Sequence, residues 1–229
     1  MSLLRVTAHM ASPLAGAQHD LHLDGVLLAA SPGIRGDKAP ITRSTPLAEI
    51  LYPPVPIATI RARGHWVYAC SGLEHDGRPG LERLTKRRDP TDTESLAANY
   101  SARSGPGRNY CLPIPTIETP TCSWLVIGRR RGILELLRYV KQLGSIRRQG
   151  YGVVTRWTAE HEERDPVEVL VRDGRARRYM PAEWTAGADW TRGPTRPPYW
   201  HPALSEPRVV PGQPCELRPE VVAAVSTLR

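Results

Sequence analysis

Proline breaks up this chain so often that no long regular element can form over most of it: 23 prolines and 19 glycines are spread through 229 residues. Proline fixes φ and lacks the amide donor that helix interiors and central strands require. Regular elements must therefore be short, sit in the stretches that proline leaves clear, and be joined by long irregular connections. Hydrophobic residues make up 40% of the chain, enough for a real core, so these connections wrap a folded centre. The length suits one elaborated domain. Phe is absent, which leaves six Trp and eight Tyr, rings whose polar edges suit stacking and interfaces as well as core.

The clear stretches have readable periods. Residues 3–10, LLRVTAHM, alternate apolar and polar side chains and predict a strand with one buried face. After a turn at Ser12-Pro13, Leu23, Val26, Leu27 and Ala30 recur at helical spacing, with Asp20 or His22 as the N-cap. From 33 to 122 the pattern dissolves, apart from apolar runs at 48–60 and 65–71 that suit paired strands. Within this zone, residues 81–110 join Lys86-Arg87-Arg88 to a Ser/Thr/Asn tract and Gly-Pro-Gly, too polar for core: a surface loop, or an arm that orders against a partner. SWLVIGR, 123–129, returns to core structure. A second helix is expected over 132–143, with Ile133, Leu136, Leu137 and Val140 as its buried stripe and Gly144 as its stop. YGVVTRWTAE alternates again, and Asp173-Gly174 turns a hairpin. RGPTRPPYWHP reads as an extended wall anchored by Tyr199 and Trp200.

Charge is concentrated around the second helix. Residues 128–150 hold seven basic side chains against one acid, Glu135, a net +6 where the whole chain carries +8. Such clustering is the footprint of a polyanion partner, or else a solvated basic face. The N-terminal segment is too polar for a signal peptide, and no window approaches the about 18 apolar residues of a membrane span, so a cytoplasmic protein with no membrane contact is expected. Four cysteines at 70, 111, 122 and 215 form no C-x-x-C pair, which favours free thiols and no metal over a zinc site built from Cys111, Cys122 and a distant His.

The split βαβ order, with a basic helix and a glycine-rich loop between that helix and the next strand, resembles the RAMP superfamily of CRISPR-associated proteins. Three landmarks carry the likeness: the opening strand followed by HLDGVLLAA at 22–30, helix two running into GSIRRQGYGVVTRW at 144–157, and RPPYW at 196–200. Together they look most like the small subunit that caps the 5′ end of the guide RNA in type IV CRISPR effector complexes. The resemblance implies an α+β fold, a ferredoxin-like (RRM-like) βαββαβ domain over 1–180 with the 33–122 insertion, and a Pro-rich extension at 181–229 packed on it. It also implies a non-catalytic crRNA-binding subunit without cofactor, which holds the 5′ handle and touches the backbone and large subunits and the target DNA next to the protospacer.

The RNA-binding set so implied is Arg129, Arg130, Arg131, Arg147, Arg148, Gln149, Gly150, Tyr151 and Gly152, with Lys86, Arg87 and Arg88 on a thumb-like arm at 81–110. Tyr151 and Arg148 are the stacking candidates, since bases of single-stranded RNA stack on rings and guanidinium planes. Arg192 and Arg196 could add to an RNA or DNA contact. Plainer readings remain: the glycines as helix stop and tight turn, the Tyr151 ring as a cover for the sheet. Two other functions stay open. One is a metal-independent endoribonuclease using His22, with Asp24 beside it, although these residues also suit a helix cap and dipole partner and neither His9 nor His19 pairs with His22 by spacing. The other is a protein-only scaffold.

Overall fold

The computed structural model describes residues 1–16, 21–31, 45–46, 54–86 and 110–228. In chain order the principal elements are β1 (Ser2–Met10), β2 (Leu14–Ala15), α1 (Leu23–Ala30), β3 (Thr59–Ala62), β4 (His65–Tyr68), β5 (Arg78–Lys86), β6 (Tyr110–Glu118), β7 (Thr121–Gly128), α2 (Arg130–Leu137) and β8 (Val154–His161). Six shorter strands follow: β9 (Val171–Arg172), β10 (Arg175–Ala176), β11 (Met180–Pro181), β12 (Thr185–Ala186), β13 (Thr191–Pro194) and β14 (Ser205–Val209). The chain then runs through β15 (Glu216–Leu217) into α3 (Pro219–Ser226). The protein is thus mixed α/β, with antiparallel strand pairs and short helices.

The central sheet has the order β7-β1-β8, and β1 is antiparallel to both neighbours, from Ser2↔Gly128 to His9↔Thr121 on one side and from Leu4↔His161 on the other. β7 and β8 therefore run parallel, joined through α2, with β1 between them, which is a split βαβ unit. Outside β7, isolated antiparallel bridges from Cys70 to Val126 and from Glu74 to Ser123 add a further extended segment. Period-two alternation in β1 is realised as expected: Leu4, Val6 and Ala8 are buried toward α1 and α2.

β7 is buried on both faces, because Trp124 and Val126 join the core under the helices while Leu125 and Ile127 join a second core. That second core gathers Ile60 and Val67 from the β3–β4 hairpin with Met180, Trp184, Val209, Val221 and Val225 from the C-terminal region. The buried indoles are satisfied, Trp124 Nε1 donating to the Leu21 carbonyl and Trp184 Nε1 to that of Ala62. β13 lies at the edge of the sheet ordered β11-β14-β13, where its proline costs no ladder bond. The Asp173-Gly174 hairpin forms as expected, both residues having positive φ (51° and 67°), which its two-residue turn needs.

Three expectations change. α2 starts two residues earlier and ends at Leu137, well before Gly144. Beyond it, Leu143 N donates to Gly152 O and Val154 N to Lys141 O, so residues 141–143 pair with 152–154 instead of continuing the helix, while Trp157 Nε1 caps the Val140 carbonyl. His22 occupies the N-cap position of α1 but makes no side-chain cap bond and is buried. Of the proposed anchors, Tyr199 bonds inward to Asp24, whereas Trp200 is half exposed. In the insertion zone, the 65–71 run and the end of the 48–60 run do pair, as β3 and β4. β5 and β6 pair over nine positions, from Arg78↔Glu118 to Lys86↔Tyr110. Arg87, Arg88, His19 and Asp20 lie outside the described residues.

Candidate nucleic-acid interface

α2 places its cations by simple periodicity. Arg131 and Arg138 are seven residues apart, two helical turns or about 10 Å along one face. Between them Glu135 pairs with Arg131 at 2.9 Å, an exposed i,i+4 contact worth little in water. Arg130 reaches the other way, donating from Nε to the Ala159 carbonyl at 2.6 Å, so it braces α2 on β8. Arg129 is the exposed N-cap residue of α2. Arg130, Arg131, Leu134, Glu135 and Arg138 line a shallow depression, and the Arg138 guanidinium lies over the Tyr139 ring, 4.6 Å from its centroid.

Tyr139 carries this track into a deeper groove of about 420 Å³ between α1 and the segment after α2. One wall is Gly25, Val26, Ala29 and Ala30. The other is Val140, Leu143 and Gly144, with Lys141, Arg147 and Arg148 as its cations and no acid among the described lining residues. Arg147, Arg148 and Gln149 form one exposed turn of 3-10 helix, entered from Ile146 in the left-handed region (φ 56°). Among the described residues, neither guanidinium makes an ion pair or hydrogen bond. Charges held without a partner keep their full interaction with a phosphate.

The loop is fixed from below. Ser145 donates from both N and Oγ to the Ala15 carbonyl on β2, Gly152 N donates to Pro13 O, and Gln142 Nε2 donates to Arg147 O at 2.7 Å. Gly152 is buried, and a Cβ there would overlap the Leu143 carbonyl oxygen; at Gly150 (φ 87°) the space is open. Tyr151 turns its hydroxyl to the Glu82 carboxylate on β5, and that hydrogen bond, ahead of minor desolvation, raises its pKa. The glycine-rich segment is therefore half open and half structural: Gly150 and the Arg-Arg pair are open, Gly152 closes a backbone contact, and Tyr151 links the loop to the β5–β6 hairpin. Lys86 is the last residue of β5, at the far end of that hairpin.

Sequence reasoning missed two features. Small residues on α1 shape one groove wall; Gly25, Ala29 and Ala30 were the available signal. The other is a buried cluster around Arg178, fully enclosed with Asp24 at 3.1 Å. Its guanidinium also donates to the carbonyls of Tyr68, Cys70, Tyr179 and Thr195 and to the Tyr199 hydroxyl, which itself donates to Asp24. Burial would lower the Arg178 pKa, but Tyr199, Cys70 and Asp24 around it more than reverse this. Burial, then the Asp24 carboxylate, pushes the Cys70 thiol up to about 12. His22 packs edge-on against Tyr179 at 5.1 Å and tilted against Tyr199 at 4.8 Å, and its pKa is held well below the usual imidazole range by burial and then by Arg178.

Arg192 is exposed, whereas Arg196 is engaged by Glu206 and by the Trp66 ring. Cys111 is exposed and Cys122 buried, and no three described His, Cys, Asp or Glu side chains are grouped to hold a metal. Among the described residues no helix is long and apolar enough to cross a membrane.

These features define a mixed α/β protein that lines one helix face and one groove with cations. Its residues 86–211, more than half of the chain, match the family described as CRISPR type IV associated protein Csf3. The chain belongs to that family, and so to the type IV CRISPR-associated proteins. No curated protein matches it.

Proposed function

We propose that this chain is a non-catalytic guide-RNA-binding subunit of a type IV CRISPR ribonucleoprotein, cytoplasmic, which holds the 5′ handle of the crRNA. The observation that carries the reading is the succession of cations from Arg131 and Arg138, at α2 and its C-cap, to Lys141, Arg147 and Arg148 around a groove with no acid among its described lining residues. A strand of phosphates with splayed bases fits such a surface better than a compact metabolite does. Family membership supports a place beside other CRISPR subunits. The sheet order β8-β1-β7 with residues 70–74 bridged outside β7 supports a ferredoxin-like, RAMP-type core. The exposed β5–β6 hairpin, with Leu81 and Leu112 largely in solvent, supports contacts to backbone and large subunits. Contact with target DNA beside the protospacer draws on Arg192 as the exposed cation near RPPYW.

A cutting role has less support, because His22, the natural acid-base candidate, is 1% exposed and lies under two tyrosine rings, out of reach of a ribose hydroxyl. The test of binding is filter retention of the repeat-derived 5′ handle. Arg147→Ala/Arg148→Ala should weaken it at least about tenfold and make the plot of log K against log salt shallower by about 1.4, two contacts at roughly 0.7 each on a single strand. Equal binding by the double variant overturns the reading, and an absence of binding by the unaltered protein leaves a protein-only scaffold.

A further inference from the structure

The geometry points to a seat for one nucleobase, turned out of the guide strand into the groove between α1 and residues 139–148, and held there by shape rather than by sequence. This inference rests on the RNA-binding reading above and adds to it the occupant of the groove. Volume is the first argument: about 420 Å³ has room for a single nucleotide, not for a folded element. Chemistry is the second. Val26, Ala29, Ala30, Val140 and Leu143 give apolar walls, while Lys141, Arg147 and Arg148 supply positive charge. A phosphate alone would leave those walls unused, and an apolar side chain of a partner protein would leave three cations unanswered. A nucleotide uses both, with its base against the walls and its phosphates on the cations.

Lack of sequence reading follows from where the polar groups point. Among the described lining residues, the Gln142 amide, the one carboxamide, donates from Nε2 to the carbonyls of Arg147 and Tyr151 and is held by its own loop, while the Tyr139 hydroxyl accepts from Arg138. Ser145 and Gly152 tie that loop to Ala15 and Pro13, so the walls are in place before any ligand arrives.

An abasic scan of the 5′ handle RNA against the unaltered protein tests the seat. One position should stand out, with loss of its base weakening binding about tenfold, while exchanging that base for any other changes affinity less than about threefold. Ala29 is exposed on α1, so Ala29→Trp fills the groove without entering the core. It should weaken the intact handle about tenfold, leave the salt slope unchanged, and bind the abasic RNA no worse than the intact one. A flat scan, or an Ala29→Trp protein that keeps full affinity, overturns the seat and leaves RNA binding standing. A base-specific loss at the sensitive position overturns the claim of shape-only recognition. If the unaltered protein retains no handle RNA at all, the underlying reading has failed and the seat with it.

Discussion

Burial decides what His22 and Arg178 do, and neither role could be read from their neighbours in sequence. Arg175, Arg177 and Arg178 look alike in RDGRARRYM, yet only Arg178 is fully enclosed; Arg177 instead pairs with Glu74 beside the central sheet. His22 sits where a cap or a catalytic group would sit, but the chain folds Tyr179 and Tyr199 over it, and among the described residues no partner meets good hydrogen-bond geometry at either ring nitrogen, the Ser71 backbone being the polar group at hand. Its depressed pKa ties stability to pH with a definite sign. Above the unfolded value of about 6.5 both states are neutral and the contribution is complete; as pH falls, the unfolded chain takes up a proton that the folded one refuses. Stability should therefore drop from pH 6.5 downward at up to about 1.4 kcal/mol per pH unit. Urea titrations between pH 6.5 and 5 check this: His22→Phe, which keeps the ring and removes the titration, should flatten the slope relative to the unaltered chain, and an unchanged slope would place the effect elsewhere.

Elements were readable where their period is local and misread where a distant partner ends them. β1, β7, β8, α1 and the Asp173-Gly174 hairpin follow from alternation, helical spacing and turn chemistry in their own residues. α2 was drawn too long because Val140 continues its apolar stripe, and nothing local announces that 141–143 will pair with 152–154. The basic cluster of the candidate interface was legible as charge, but its opposite wall comes from α1, more than a hundred residues earlier. The same backbone pairing separates the two glycines of the loop. Gly152→Ala forces a left-handed φ and a collision with the Leu143 carbonyl, and should cost clearly more than the about 1 kcal/mol expected for Gly150→Ala, which meets only open space. Chemical denaturation of the two variants, read alongside handle binding, measures that difference; equal losses would mean that the 143–152 contact contributes nothing.

The whole molecule is joined by groups far apart in the chain. Arg178 links Asp24 on α1, the carbonyls of Tyr68 and Cys70, and Tyr199 in the Pro-rich tail. Arg178→Ala would leave the Asp24 carboxylate buried without its cation, a loss of about 3–5 kcal/mol. With typical domain stabilities of about 5–15 kcal/mol, equilibrium denaturation should find this variant near the edge of folding, and a change below about 1 kcal/mol would remove the cluster from any structural role. The placement of β1 has a consequence for synthesis. Both of its neighbours are translated far behind it, β8 ending at His161, so the sheet's middle strand has no partner until most of the chain exists. At about 5–20 residues per second, synthesis from the end of β1 to the end of β7 takes roughly six to twenty-four seconds, and to the end of β8 roughly eight to thirty. Throughout the first of these intervals, α1 is the one described helix available to cover the apolar side of the nascent strand, and closure of the sheet on both edges of β1 waits for residues made much later.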